Sequence, residues 1–197
     1  MRTFIAIEIS DGAKSALGQI QAHLKYAGAD VKWVENENIH LTMKFLGEVK
    51  EDKVEEIKMA LDAIGRETKP FEIVLKGIGA FPNIDYPRVI WVGIDKGAAE
   101  ATEVSRKVDD ELLKIGFPKE SRPFAAHLTL GRVRSSHNKA ALKEKINSIN
   151  EKLPDINRQS IGSVILFKST LTPKGSIYTK LHEAKFQGQG SRVEGQG

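Results

Sequence analysis

The sequence predicts an α+β fold of two duplicated α/β lobes with antiparallel sheets, which a pseudo-twofold axis would set about a central cleft. Three observations lead there. A run of helix, His-x-Thr strand, helix and strand pair occurs twice along the 197 residues. The tetrapeptide HLTM, His40 to Met43, returns as HLTL, His127 to Leu130. Two strand pairs flank short turn-rich linkers, PNIDYP and TPKG, as hairpins do. With 40% hydrophobic and 28% charged residues, the chain is long enough for one well-buried domain or two small lobes sharing a core.

RTFIAIEI alternates and is rich in β-branched residues, so it reads as a strand. SDGAKSALGQIQAHLKYAGAD opens on Ser10 and Asp11, both helix-cap types, and reads as a helix. VKWV follows, then ENEN as a turn, then IHLTMKFLG as a strand ending at Gly47. In KEDKVEEIKMALDAIGRET the apolar residues Val54, Ile57, Leu61 and Ile64 have helical spacing, with acids at the start where the helix dipole favours them. FEIVLKGIGAF and RVIWVGID are strands joined by PNIDYP.

The second half repeats this order. AAEATEVSRKVDDELLKIGF reads as a helix, AAHLTLGRV as a strand, NKAALKEKINSINEKL as a helix, and SIGSVILFKST with SIYTKLHEAKF as a strand pair around TPKG. RVIWVGID then matches RTFIAIEI as the opening strand of a second copy. Residues 1–186 are thus expected to form one bilobal domain with intertwined lobes and repeat halves of about 1–87 and 88–186. Residues 187–197, QGQGSRVEGQG, have too little apolar content to pack and read as a flexible tail.

Composition removes several classes of chemistry. With no cysteine, disulfides, thiolate metal sites and a cysteine nucleophile are all unavailable. The apolar run Arg2 to Ile9 is too short, and too acidic at Glu8, for a signal peptide, and no stretch is long enough to span a bilayer. A cytoplasmic protein with no membrane partner is expected. The formal charge of +4 tolerates a polyanionic partner without establishing one.

Successive strand side chains point to opposite faces, so His40 shares a face with Thr42, and His127 with Thr129, while the leucines and Met43 anchor the other face. Two imidazoles facing one cleft suit a reaction that needs one proton removed and one delivered near neutral pH. Displacement at phosphorus is such a reaction, and the threonine hydroxyls can donate to the non-bridging oxygens. A single strand histidine is more often a structural residue; two at equivalent places reverse that preference. Two histidines without a third and fourth ligand are a poor zinc site, so no metal and no cofactor are expected. His23, His137 and His182 lack matching partners and read as surface or packing residues.

At these residues the chain resembles the two-histidine phosphoesterases, and within them the RNA 2',3'-cyclic phosphodiesterases, also called 2'-5' RNA ligases. The resemblance spans nearly the whole chain outside the tail: RTFIAIEI, VKWVENENIHLTMKFLGEV, RPFAAHLTLGRVR and FKSTLTPKGSIYTKL. It implies a bilobal fold with a central cleft and hydrolysis of a terminal 2',3'-cyclic phosphate on RNA to a 2'-phosphomonoester. It further implies that His40 is the proton donor and His127 the acceptor, and that tRNA halves can be joined through a 2'-5' bond in the reverse direction. The expected partner is RNA with a 2',3'-cyclic phosphate end, bound by a monomer.

Arg132 matches the arginine that similar proteins place near the phosphate, but strict alternation puts it opposite His127 unless the strand bends near Gly131. By the same parity Lys44 shares the face of His40 and could reach phosphate, whereas Phe45 falls on the core face. Tyr178 is the main candidate for stacking on a base, ahead of Phe45 and Trp33. Lys168, Lys174 and Lys180 form either an electrostatic guide for RNA or a soluble hairpin. Two alternatives stay open: a cyclic phosphodiesterase acting on small nucleotides such as an ADP-ribose derivative or short oligoadenylate, and an RNA-end binding module.

Overall fold

The first strand, β1 (Arg2–Glu8), is buried from Thr3 to Ile7 rather than on alternate residues, because both its faces are covered. Ile5 and Ile7 enter the main core, while Phe4 and Ala6 join a second cluster with Ile165 and Phe167, against which Tyr178 packs. The structure, a computed structural model, describes residues 1–152, 155–173 and 175–188. Helix α1 (Asp11–Lys25) begins where the Ser10 hydroxyl accepts the Ala13 N–H at 3.2 Å, a capping bond, and it buries Leu17, Ile20 and Leu24. The chain continues through β2 (Val31–Trp33), a 3-10 turn (Asn36–Asn38), β3 (His40–Glu48), α2 (Glu51–Glu67), β4 (Phe71–Phe81) and β5 (Val89–Ile94). It ends with α3 (Ala98–Lys114), β6 (His127–Val133), α4 (Lys139–Lys152), β7 (Asn157–Ile161), β8 (Ser163–Thr172) and β9 (Gly175–Lys185).

The strands form two antiparallel sheets, of order β3-β1-β8-β9 and β2-β6-β5-β4-β7, so the fold is α+β with two lobes. Three strands in each sheet follow one plan: β3-β1-β8 in the first and β6-β5-β4 in the second. β8 and β9 come from the second half of the chain and β2 and β4 from the first, so each lobe borrows two strands from the other half. Helices α2 and α3 pack against the first sheet, through β8, β9 and β3; α1 and α4 pack against the second, through β7 and β4. Among the described residues no helix is long and apolar enough to cross a membrane.

One expected element is divided. SIGSVILFKST is not one strand: Ile161 ends β7 in the five-stranded sheet, and Ser163 starts β8 in the other. The chain changes sheets at Gly162, whose carbonyl accepts the Phe186 N–H at 2.8 Å. The polar segment of β7, NRQSI, carries little apolar signal because it forms a sheet edge. The start of the expected tail is tied down: Gln187 N–H donates to the Gly65 carbonyl at 3.0 Å and Gly188 N–H to the Thr68 carbonyl at 2.9 Å. The rest of that tail, 189–197, and Lys174 lie outside the described residues.

Candidate active site

Both motif strands carry a bulge at the same place. On β3, Thr42 stands opposite Ala6 and Lys44 opposite Ile5, leaving Met43 without a partner. On β6, Thr129 stands opposite Trp91 and Gly131 opposite Ile90, leaving Leu130 without one. An extra residue in one strand reverses the parity of all that follows. Met43 and Lys44 are therefore both buried, as are Leu130 and Gly131, and the next residue in each strand, Phe45 or Arg132, returns to the face of the histidine.

Three expectations based on strict alternation change accordingly. Arg132 faces the same side as His127, with the bend at Gly131 supplying the turn it needed. Lys44 leaves that side: it is 4% exposed and turned inward, where it pairs with Asp109. Phe45 takes the outer position and is 64% exposed. Gly131 is required because the side chains of the neighbouring strand β2 occupy the space beside it; a Cβ there would lie 2.7 Å from Val31 Cγ1 and 3.1 Å from the Trp33 ring.

Phe45, Arg132 and Tyr178 line a single cavity of about 270 Å³, so the outer faces of β3 and β6 open on to one cleft. A second cavity of about 260 Å³ is lined by His40, Lys14, Asn38, Ser176, Tyr178 and Lys180 among others. The Tyr178 ring packs edge-on against His40 at 5.4 Å and against Phe4 at 4.8 Å. The Asn38 side-chain amide donates to the Ser176 carbonyl at 2.8 Å, fastening the β8–β9 hairpin to the 3-10 turn before His40. Lys180 pairs with Glu8 at 2.5 Å. Trp33 has Lys25 Nζ of α1 6.0 Å over its ring, and it also lines a third cavity of about 210 Å³ with Arg132 and Tyr178. Among the remaining histidines, His182 meets Asp62 at 2.7 Å and His23 donates to the Gln19 carbonyl at 2.8 Å, while His137 is exposed.

The two imidazoles are held alike. His40 Nδ1–H donates to the Asn38 carbonyl at 2.7 Å and His127 Nδ1–H to the Ala125 carbonyl at 2.6 Å, two residues back in each case. A carbonyl only accepts, so the proton sits on Nδ1 and the neutral ring keeps Nε2 as its acceptor. Each ring rests on a phenylalanine: His40 stacks on Phe4 at 4.9 Å, and His127 meets Phe81 edge-on at 4.9 Å. Thr42 and Thr129 are the half-buried neighbours two residues on.

Burial pushes the His40 imidazole down to about 4, against the backbone bond to Asn38, and the nearby Lys14 charge adds to the depression. His127 is lowered too, by burial first and also by the Arg132 charge, against the bond to Ala125. Both shifts favour the neutral ring at neutral pH. A depressed histidine contributes stability above its unfolded pKa that is lost as the pH falls toward its folded one. Between pH 6.5 and about 4 the unfolded chain binds a proton that folded His40 refuses, a loss reaching ~3 kcal/mol. Urea unfolding across that range should show wild type losing more stability than His40→Asn; equal losses would assign the pH dependence elsewhere.

Comparison with known proteins decides the family. A family model described as LigT like phosphoesterase matches residues 7–91 and again 92–178. The chain belongs to the LigT-like phosphoesterases. A relative from Methanocaldococcus jannaschii named RNA 2',3'-cyclic phosphodiesterase is 41% identical over 183 residues, covering 93% of this chain and 99% of its own. One of the same name from Methanothermobacter thermautotrophicus is 38% identical over 181 residues, 92% of this chain and 96% of the relative. Among solved structures, a Thermus thermophilus protein matches with TM-score 0.79 at 24% identity, covering 96% of this chain and 100% of its own. The apo form of E. coli LigT matches with TM-score 0.74 at 21% identity, covering 94% and 96%.

Proposed function

We propose that the protein hydrolyses 2',3'-cyclic phosphate ends of RNA to 2'-phosphomonoesters, with His40 and His127 as the acid and base. The observation that carries this reading is the matched pair of imidazoles, each with Nδ1–H fixed on the carbonyl two residues back and Nε2 left for substrate. The names of the Methanocaldococcus and Methanothermobacter relatives support the substrate class.

In the reaction, His127 Nε2 takes a proton from water as the oxygen attacks phosphorus. The P–O3' bond breaks, and His40 Nε2–H protonates the leaving O3'. The anionic phosphate raises the His40 pKa on binding, which counters the burial that keeps the empty ring neutral. Burial, with the Arg132 charge adding to it, keeps His127 neutral and ready to accept. Thr42 and Thr129 donate to the non-bridging oxygens where charge builds. Arg132 also binds the phosphate, and Tyr178, with the newly exposed Phe45, offers a ring to a nucleobase.

The same pair joins RNA ends such as tRNA halves through a 2'-5' bond when a 5'-hydroxyl replaces water. His127 takes its proton, the P–O3' bond breaks and His40 protonates O3'; the roles exchange only when that 2'-5' bond is cleaved back to the cyclic phosphate. The protein acts as a cytoplasmic monomer, since both motif strands come from one chain. The reading is tested by comparing kcat/KM on an oligoribonucleotide with a 2',3'-cyclic end against a 2',3'-cyclic mononucleotide and an ADP-ribose cyclic phosphate. RNA should be preferred by about tenfold or more, the worth of one stacked base. Preference for the small nucleotides would reassign the substrate, and tight RNA binding with no turnover would indicate a binding module.

A further inference from the structure

The two bulges place different residues at the same inward position: Gly131 on β6, and Lys44 on β3. In the second lobe β2 fills the space beyond the glycine. In the first lobe a cation occupies it, with 3% of the Lys44 side chain exposed. A charge so buried persists only where it is paired and hydrogen-bonded. Lys44 Nζ donates to Asp109 Oδ1 on α3 and, at 2.7 Å, to the Pro118 carbonyl; Asp109 Oδ2 then accepts the Glu120 N–H at 3.2 Å.

All of these partners lead to one segment. Residues 118–126 begin a few residues beyond the end of α3 and lead to His127 without helix or strand. Among the described residues their backbone makes three hydrogen bonds outside regular structure: Pro118 to Lys44, Glu120 to Asp109, and Ala125 to His127. Phe124 and Ala126 pack partly against the core. The segment that supplies the acceptor for the second histidine is thus anchored to the strand that carries the first.

We infer that Lys44 and Asp109 form a positioning pair, which holds the 118–126 segment so that the Ala125 carbonyl orients the His127 ring. Lys44 acts behind the first motif and never meets the substrate. The catalytic consequence rests on the proposed role of His127; the orientation itself does not. Only His127 depends on the pair, because His40 takes its acceptor from Asn38, outside the 118–126 segment.

The test is 1H–15N NMR of the histidine Nδ1–H protons in the full chain, as wild type, Lys44→Met and Asp109→Asn, with turnover measured alongside. Both variants should broaden or lose the His127 Nδ1–H through solvent exchange while the His40 Nδ1–H persists as an internal control. kcat should fall about tenfold, with KM within about twofold. If Lys44→Met fails to fold, Asp109→Asn carries the test, since 18% of the Asp109 side chain is exposed and Lys44 keeps the Pro118 carbonyl. A His127 signal unchanged in the variants would overturn the inference, and so would equal loss at both histidines. Wild type without turnover on RNA ends would instead overturn the proposed function, leaving the NMR comparison intact.

Discussion

His40→Ala and His127→Ala should each lower turnover on a cyclic-phosphate RNA end by about 10³-fold, while RNA affinity changes by less than about threefold. On the proposed reading each substitution removes one proton-transfer group and leaves in place Thr42, Thr129 and the cavity of Arg132, Phe45 and Tyr178 assigned to ligand binding. The double variant should be about as slow as either single one, because an acid and a base that serve the same step act as a unit. Single-turnover kinetics with fluorescence binding measures both quantities, and thermal melts verify that the rings' packing on Phe4 and Phe81 is not the cause. Additive losses in the double variant would mean that the histidines serve separate steps.

Gly79→Ala should cost about 3 kcal/mol of stability and slow the enzyme as well. Gly79 on β4 pairs with Trp91 on β5, and a Cβ at Gly79 would lie 2.3 Å from two atoms of the indole ring. A rigid bicyclic side chain cannot give by that distance, so the ring must leave. Trp91 stands 5.2 Å from Phe81 and 6.4 Å from His127, so its departure removes part of the floor beneath the second histidine. Urea unfolding followed by tryptophan emission would show the loss as a lower midpoint and a red-shifted native spectrum. Adding Trp91→Leu should recover part of the stability, since the smaller side chain yields the space. No recovery would place the strain elsewhere.

On the motif strands the faces were legible up to the bulge. The His-x-Thr pattern put each imidazole on the face of its hydroxyl, since a period of two is reliable for the three residues before a bulge. Beyond the bulge parity fails, which is why Lys44 and Phe45 exchange faces relative to strict alternation. The second strand carried a signal in Gly131, because a glycine inside a strand often marks a bulge or a close approach. The first strand carried none of its own: only the alignment of HLTMKF with HLTLGR transfers the irregularity from Gly131 to Lys44. Asp109 could not be singled out, as one acid among several on a helix whose pairing depends on the tertiary contact with β3. Intertwined lobes were expected from the sequence, but which strands cross between them, β8 and β9 one way and β2 and β4 the other, was hidden, because strand patterns read alike whichever sheet each strand joins.

The account stands most directly on one measurement: 31P NMR of the product formed from RNA ending in a 2',3'-cyclic phosphate by chelator-treated wild type and the two single histidine variants. The wild type should give a 2'-phosphomonoester at an undiminished rate, and both variants should leave the cyclic phosphate intact over the same time. A 3'-phosphate product, activity recovered only with added metal, or turnover retained in either variant would contradict it.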